Sequence, residues 1–121
     1  MTSGSGASEA EHLFERYLAY HGSADTDGVV TLFSEDATLE DPVGAPVLSG
    51  RAAIHDFFRA THARQGRLAF ERVGSLLVRG VELAVHVRAR LERDLAGSWT
   101  DVIYTFRLDG DGRIRALRAY F

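Results

Sequence analysis

Thr100-Asp101-Val102-Ile103-Tyr104-Thr105-Phe106-Arg107-Leu108 alternates apolar and polar side chains along its length. Thr100, Val102, Tyr104, Phe106 and Leu108 share one face, and Asp101, Ile103, Thr105 and Arg107 share the other. That period of two belongs to a strand with one buried side. Turn chemistry brackets it, with Asp94 to Ser98 before it and Asp109-Gly110-Asp111-Gly112 after it. Working outward, the chain beyond Gly66 reads as four long strands, roughly 67–79, 82–93, 98–108 and 113–121, with a further turn at Arg79-Gly80.

The first half has a different period. Ala10, Leu13, Phe14, Tyr17, Leu18 and His21 recur at the three-and-four spacing of one helix face. Ser8 and Glu11 form a capping-box pair at its expected start, and Gly22 is its expected end. A short second helix is expected after the N-cap candidate Asp25, with Val29, Val30, Leu32 and Phe33 on its apolar side. Ala37 to Asp41 alternates as a strand that Pro42 halts, and a Gly/Pro loop runs on to Leu48. Ser49 is the expected N-cap of a third helix that carries Ile54, Phe57, Phe58 and Thr61 inward. Residues 1–7 read as a disordered Ser/Gly-rich tail and 8–121 as a single domain. Helices first and a meander afterwards make an α+β domain, with helices on one face of an antiparallel sheet.

Composition narrows the chemistry. The 121 residues are 45% apolar and 26% charged, with no cysteine. All 14 basic residues are arginine. Thiolate nucleophiles, Schiff-base lysines and a P-loop lysine are therefore excluded. The net charge of −3 argues against a general nucleic-acid binder. The arginines of the second half mostly alternate along strands, as a solvated or interface face does. No stretch is long and apolar enough for a membrane span, and no signal-peptide pattern opens the chain, so a cytoplasmic protein is expected. The five histidines show no metal-ligand spacing, and no metal site is expected.

Three polar residues stand on otherwise apolar faces. Asp41 shares the inward face of its strand with Ala37 and Leu39, where an ionised carboxylate is costly unless it is paired or functional. A turn-capping role after the strand is equally open on spacing alone. Tyr17 sits on the apolar stripe of the first helix, and Tyr104 on the inward face of the third long strand. Buried phenols need a hydrogen-bond partner or a ligand. An apolar interior with few polar groups is the usual form of a small-molecule site.

The run from Asp27 to Gly44, Asp-Gly-Val-Val-Thr-Leu-Phe-Ser-Glu-Asp-Ala-Thr-Leu-Glu-Asp-Pro-Val-Gly, resembles bacterial Δ5-3-ketosteroid isomerases of the SnoaL-like, nuclear-transport-factor-2-like superfamily. The likeness continues through Ser49-Gly50-Arg51-Ala52-Ala53-Ile54, Phe57 and the stretch from Phe106 to Phe121. It implies a curved antiparallel sheet wrapped around three N-terminal helices, a cone with a deep apolar pocket. It further implies a cofactor-free enzyme that shifts a C=C bond in a steroid-like enone. Asp41 falls on the family's general base, and Tyr17 on the tyrosine that donates to the dienolate oxygen. The family's second donor, a protonated aspartate, is Tyr104 here, and two supporting tyrosines fall on Phe33 and Phe58. The apolar wall would comprise Phe33, Phe57, Phe58, Leu83, Val85, Val102, Phe106, Leu117, Ala119 and Phe121. A homodimer is implied through the outer sheet face, where Ala84, His86, Arg88 and Arg90 alternate.

Two other functions are compatible with the same residues. A SnoaL-like cyclase, dehydratase or epoxide hydrolase acting on a polyketide or terpenoid would need a second inward acid, for which Glu71 and Asp101 are the residues to check. A non-catalytic ligand-binding or dimerisation module would need neither acid nor base.

Overall fold

The computed structural model describes residues 3–121. Its element order is α1 (Ser3–Gly22), α2 (Thr26–Val30), β1 (Phe33–Glu40), β2 (Leu48–Ser49), α3 (Arg51–Gln65), β3 (Leu68–Arg72), β4 (Leu77–Arg79), β5 (Glu82–Leu91), β6 (Thr100–Leu108) and β7 (Ile114–Tyr120). The fold class is the expected α+β arrangement: three helices and a curved, unclosed sheet that runs β2-β1-β7-β6-β5-β3, with β4 also paired to β5. Neighbours are antiparallel except β1 and β7, which run parallel with Leu39 beside Leu117. A meander read from sequence has no means of showing that its last strand pairs with β1, because the two are separated by more than half the chain.

Strand parity holds. Val102, Tyr104 and Phe106 are buried, whereas Asp101, Ile103 and Arg107 are exposed. Registry across β5, β6 and β7 stacks Val85, Tyr104 and Ala119 in one inner row and Leu83, Phe106 and Leu117 in the next. The buried face of α1 (Leu13, Phe14, Tyr17) and that of α3 (Ile54, Phe58) pack with these rows into one apolar core. Phe106 takes the rings of Phe14 and Tyr17 edge-on, with centroids 5.9 and 5.4 Å away.

Several boundaries differ from expectation for identifiable reasons. Helix α1 begins at Ser3, so the Ser8–Glu11 pair lies inside it and caps nothing. Of the expected tail, Met1 and Thr2 lie outside the described residues. Helix α2 has the expected N-cap, since the Asp25 carboxylate accepts from the Gly28 amide at 2.9 Å. A Cβ at Gly28 would lie 2.5 Å from the Tyr20 ring and 2.6 Å from that carboxylate, so the packing of both side chains favours glycine there. The helix stops at Val30, and Phe33 opens β1 instead of closing a helix. Ser49 belongs to β2, and the N-cap of α3 is Gly50 at φ +92°, with no side-chain cap. Arg51 instead anchors that helix end, donating from Nε to the Phe33 carbonyl at 2.9 Å. The expected strand 67–79 is two strands, because residues 73–76 stand against only 85–86 of β5. Gly74 and Ser75 sit in this bulge, which turns Leu76 into the core.

Candidate functional site

Asp41 follows the last residue of β1, and four backbone or carboxylate contacts fix the loop that carries it. The Val43 amide donates to the Ala119 carbonyl at 2.7 Å, and the Ala45 amide to the Pro42 carbonyl at 3.0 Å. Glu40, on the opposite strand face, accepts from the Gly44 amide at 3.0 Å and from Arg118 Nε at 2.8 Å. Those two bonds, the Gly44 amide first, lower the pKa of Glu40. Asp41 itself is partly buried and has no ion-pair partner among the described residues, and desolvation raises its pKa to about 6.

The two phenols lie deeper. Tyr17 is fully buried and Tyr104 is 4% exposed, and their rings meet edge-to-face with centroids 5.4 Å apart. The Tyr17 hydroxyl is buried without a hydrogen-bond partner. Burial is the main cause that raises the pKa of Tyr17, followed by the proximity of Tyr104 and then of Asp41. Burial also leads for Tyr104, with the Asp41 carboxylate second. Both phenols therefore stay protonated and able to donate, and Asp41 acts electrostatically on both. The two hydroxyls are near enough for a weak mutual hydrogen bond to shift both, but it falls short of ordinary hydrogen-bond geometry and leaves Tyr17 poorly satisfied. The arrangement offers a base of raised pKa beside two O–H donors in an apolar surround, suited to proton transfer next to a developing oxyanion.

Of the expected wall, Phe33, Phe58, Leu83, Val85, Val102, Phe106, Leu117 and Ala119 are buried, and Phe57 packs against them while partly exposed. Phe121 is 65% exposed and belongs to the rim. An open cleft of about 450 Å³ lies at this end of the sheet, between the C-terminal end of α3, β3 and the turn joining β5 to β6. Leu68, Val102 and Phe121 line it, but Tyr17, Asp41 and Tyr104 do not. Tyr104 stands two residues beyond Val102 on the same face, ~7 Å further in along the strand. A molecule entering by the cleft must part the side chains between them to reach the phenols.

The histidines are where sequence spacing was blind. His21 Nδ1 and His62 Nε2 share a hydrogen bond at 3.0 Å, and His62 Nδ1 meets Thr26 Oγ1 at 2.8 Å. His55 pairs with Asp27 at 3.1 Å and His86 with Asp101 at 2.8 Å. Each partner comes from another element, so no local spacing announces it. Among the described residues no three metal-ligating side chains cluster. Glu40 and the cleft residues Arg64 and Arg93 were likewise missed. Glu40 reads as an ordinary outward strand residue, and the two arginines meet only in the fold.

Residues 14–117 match the SnoaL-like domain family. The chain belongs to the SnoaL-like family. It is 32% identical over 119 residues to a steroid Delta-isomerase of Nocardioides simplex, covering 95% of this chain and 91% of that protein. Among solved structures, it is similar to SalBIII, an epoxide hydrolase/cyclase-like enzyme in pyran ring formation in the polyether salinomycin. That likeness has a TM-score of 0.76 and 28% identity, and covers 99% of this chain and 93% of the other. No helix among the described residues is long and apolar enough to cross a membrane.

Proposed function

We propose that this SnoaL-like chain is a cofactor-free isomerase that moves a C=C bond of a steroid-like enone into conjugation. Asp41 removes a proton from the carbon between the carbonyl and the double bond. The electron pair shifts onto the carbonyl oxygen as a dienolate, and Tyr17 and Tyr104 donate hydrogen bonds to that oxygen. The carboxylic acid then returns the proton to the γ carbon, which regenerates Asp41. The observation that carries this reading is the fully buried Tyr17 hydroxyl, which makes no hydrogen bond of ordinary geometry, beside Tyr104 and a carboxylate of raised pKa. An unsatisfied buried donor is destabilising and therefore calls for a use. The similarity to a steroid Delta-isomerase supports the same chemistry.

The similarity to SalBIII favours a cyclase or epoxide-opening reaction on the same fold. That reading lacks its second inward acid. Glu71 pairs with Arg88, and Asp101 with His86, on exposed positions. The test is conversion of a β,γ-unsaturated ketosteroid to its conjugated isomer, followed as new ultraviolet absorbance. Turnover no greater than that of Asp41→Asn overturns the proposal. Ligand binding that survives without turnover would instead support a non-catalytic module. The proposal includes a homodimer through the outer sheet face, where Ile103 and Tyr120 are 45% and 38% exposed. Analytical ultracentrifugation checks this, and a monomer at micromolar concentration contradicts it.

A further inference from the structure

We propose that the substrate carries a carboxylate at the end remote from its reacting carbonyl, and that Arg64 and Arg93 bind it at the mouth of the cleft. This deepens the isomerase reading and rests on it for the substrate's orientation.

Strand β6 serves as a ruler. Tyr104 marks the reacting end, Val102 lies in the cleft wall, and Thr100 stands at the mouth. From Tyr104 to Thr100 is four residues, ~13 Å at about 3.3 Å per residue, so a fused-ring molecule held at the phenols ends among the cleft residues. The walls there are apolar (Leu68, Val102, Phe121), but the rim is cationic. Several arginines elsewhere on the sheet have carboxylate partners: Arg88 with Glu71, Arg107 with Glu82, Arg118 with Glu40. Arg64, Arg90 and Arg93 all line this one cleft, and among the described residues none of the three forms an ion pair, as is also true of Arg16, Arg51, Arg79 and Arg113 outside it.

Their orientations divide the work. Arg93 donates from Nη1 to the Gln65 carbonyl at 2.9 Å, which holds it against the end of α3 next to Arg64. That single bond leaves its other N–H groups free for an anion. Arg90 is committed elsewhere, because its guanidinium lies 4.9 Å above the Trp99 ring and donates to the Asp94 carbonyl. It contributes charge and no direct contact. Asp94 is the one acid in the lining, so the rim remains net positive. A planar carboxylate suits two neighbouring guanidinium groups, and an apolar body beneath it suits the walls.

The test compares binding by calorimetry of a fused-ring keto acid and its methyl ester to three proteins. These are the native chain, the double variant Arg64→Gln/Arg93→Gln, and Arg79→Gln, a single arginine outside the cleft that reports the effect of losing one positive charge there. The acid is expected to bind the native chain and Arg79→Gln about tenfold more tightly than the ester at low salt. High salt and the double variant should both erase that preference. With turnover measured alongside, the double variant should raise KM for the acid only and leave kcat unchanged. Equal affinity for acid and ester in the native chain, or equal weakening of both in the double variant, overturns the carboxylate site and leaves the isomerase reading standing. Failure of both compounds to bind overturns the two together.

Discussion

Two polar clusters share the interior, one helical turn apart on α1, and they are built in opposite ways. His21, four residues after Tyr17, is buried and closes a hydrogen-bonded chain to His62 and Thr26. Tyr17, with its ring centroid 5.6 Å from that of His21, leaves its hydroxyl without a partner. Burial is common to both clusters, so it does not distinguish them. Satisfaction does. The histidine chain resolves its own polarity and ties α1 to α2 and α3. The phenols and Asp41 leave theirs open to whatever enters, and the fold supplies the stability they forgo.

The largest effect should come from breaking the open cluster at its base. Asp41→Asn is expected to lower kcat by about 10³-fold or more, measured by ultraviolet turnover. It should also raise stability at pH 7, by on the order of 1–3 kcal/mol, because a carboxylate of raised pKa is no longer ionised in an apolar surround. The sign follows from the shift. Asp41 favours the folded state fully only below its unfolded value, and loses that contribution as pH rises through about 6. The stability gap between the variant and the native chain should therefore close as pH falls towards about 4, as thermal melts across pH would record.

Tyr17→Phe should cost ~10²–10³-fold in kcat with little loss of stability, since the deleted hydroxyl makes no hydrogen bond of ordinary geometry. A Tyr17→Phe protein that melts well below the native one would show that the hydroxyl is satisfied after all. The closed cluster should respond the other way. His62→Leu leaves the buried His21 ring nitrogen unpaired and is expected to cost about 1–3 kcal/mol of stability, seen in chemical denaturation, with kcat nearly unchanged. Burial first, and His62 second, lower the His21 pKa to about 3, so the folded chain resists protonation that the unfolded chain accepts. Histidine-derived stability should therefore fall as pH drops from about 6.5, opposite in sign to the Asp41 contribution. The smallest effect belongs to Glu40→Gln, whose single amide oxygen can keep only one of the bonds from Gly44 and Arg118 and which loses the charge that Arg118 meets. A drop of severalfold in kcat with KM unchanged is expected, as for a residue that positions Asp41.

Sequence alone carried the inner face of each long strand, the Asp25 cap and the inward placement of Asp41, Tyr17 and Tyr104, since local periodicity encodes all of these. It missed what depends on partners distant in the chain. The parallel pairing of β1 with β7 and the His21–His62 bond, with partners 41 residues apart, have no local signature. Phe121 reads as an inner-face strand residue, yet it falls just beyond β7 and is exposed at the rim. Arg64 and Arg93 read as solvated charges because the cleft that gathers them exists only once α3 and the β5–β6 turn are brought together.

The most direct measurement is the pH profile of kcat/KM for ketosteroid isomerisation by the native chain. A base must be ionised to accept a proton, so activity should rise with pH, reach half its plateau near pH 6 and hold until the phenols ionise far above neutrality. Activity that is flat from pH 4.5 to 8, or a rise that persists unchanged in Asp41→Asn, would contradict the assignment of Asp41 as the base.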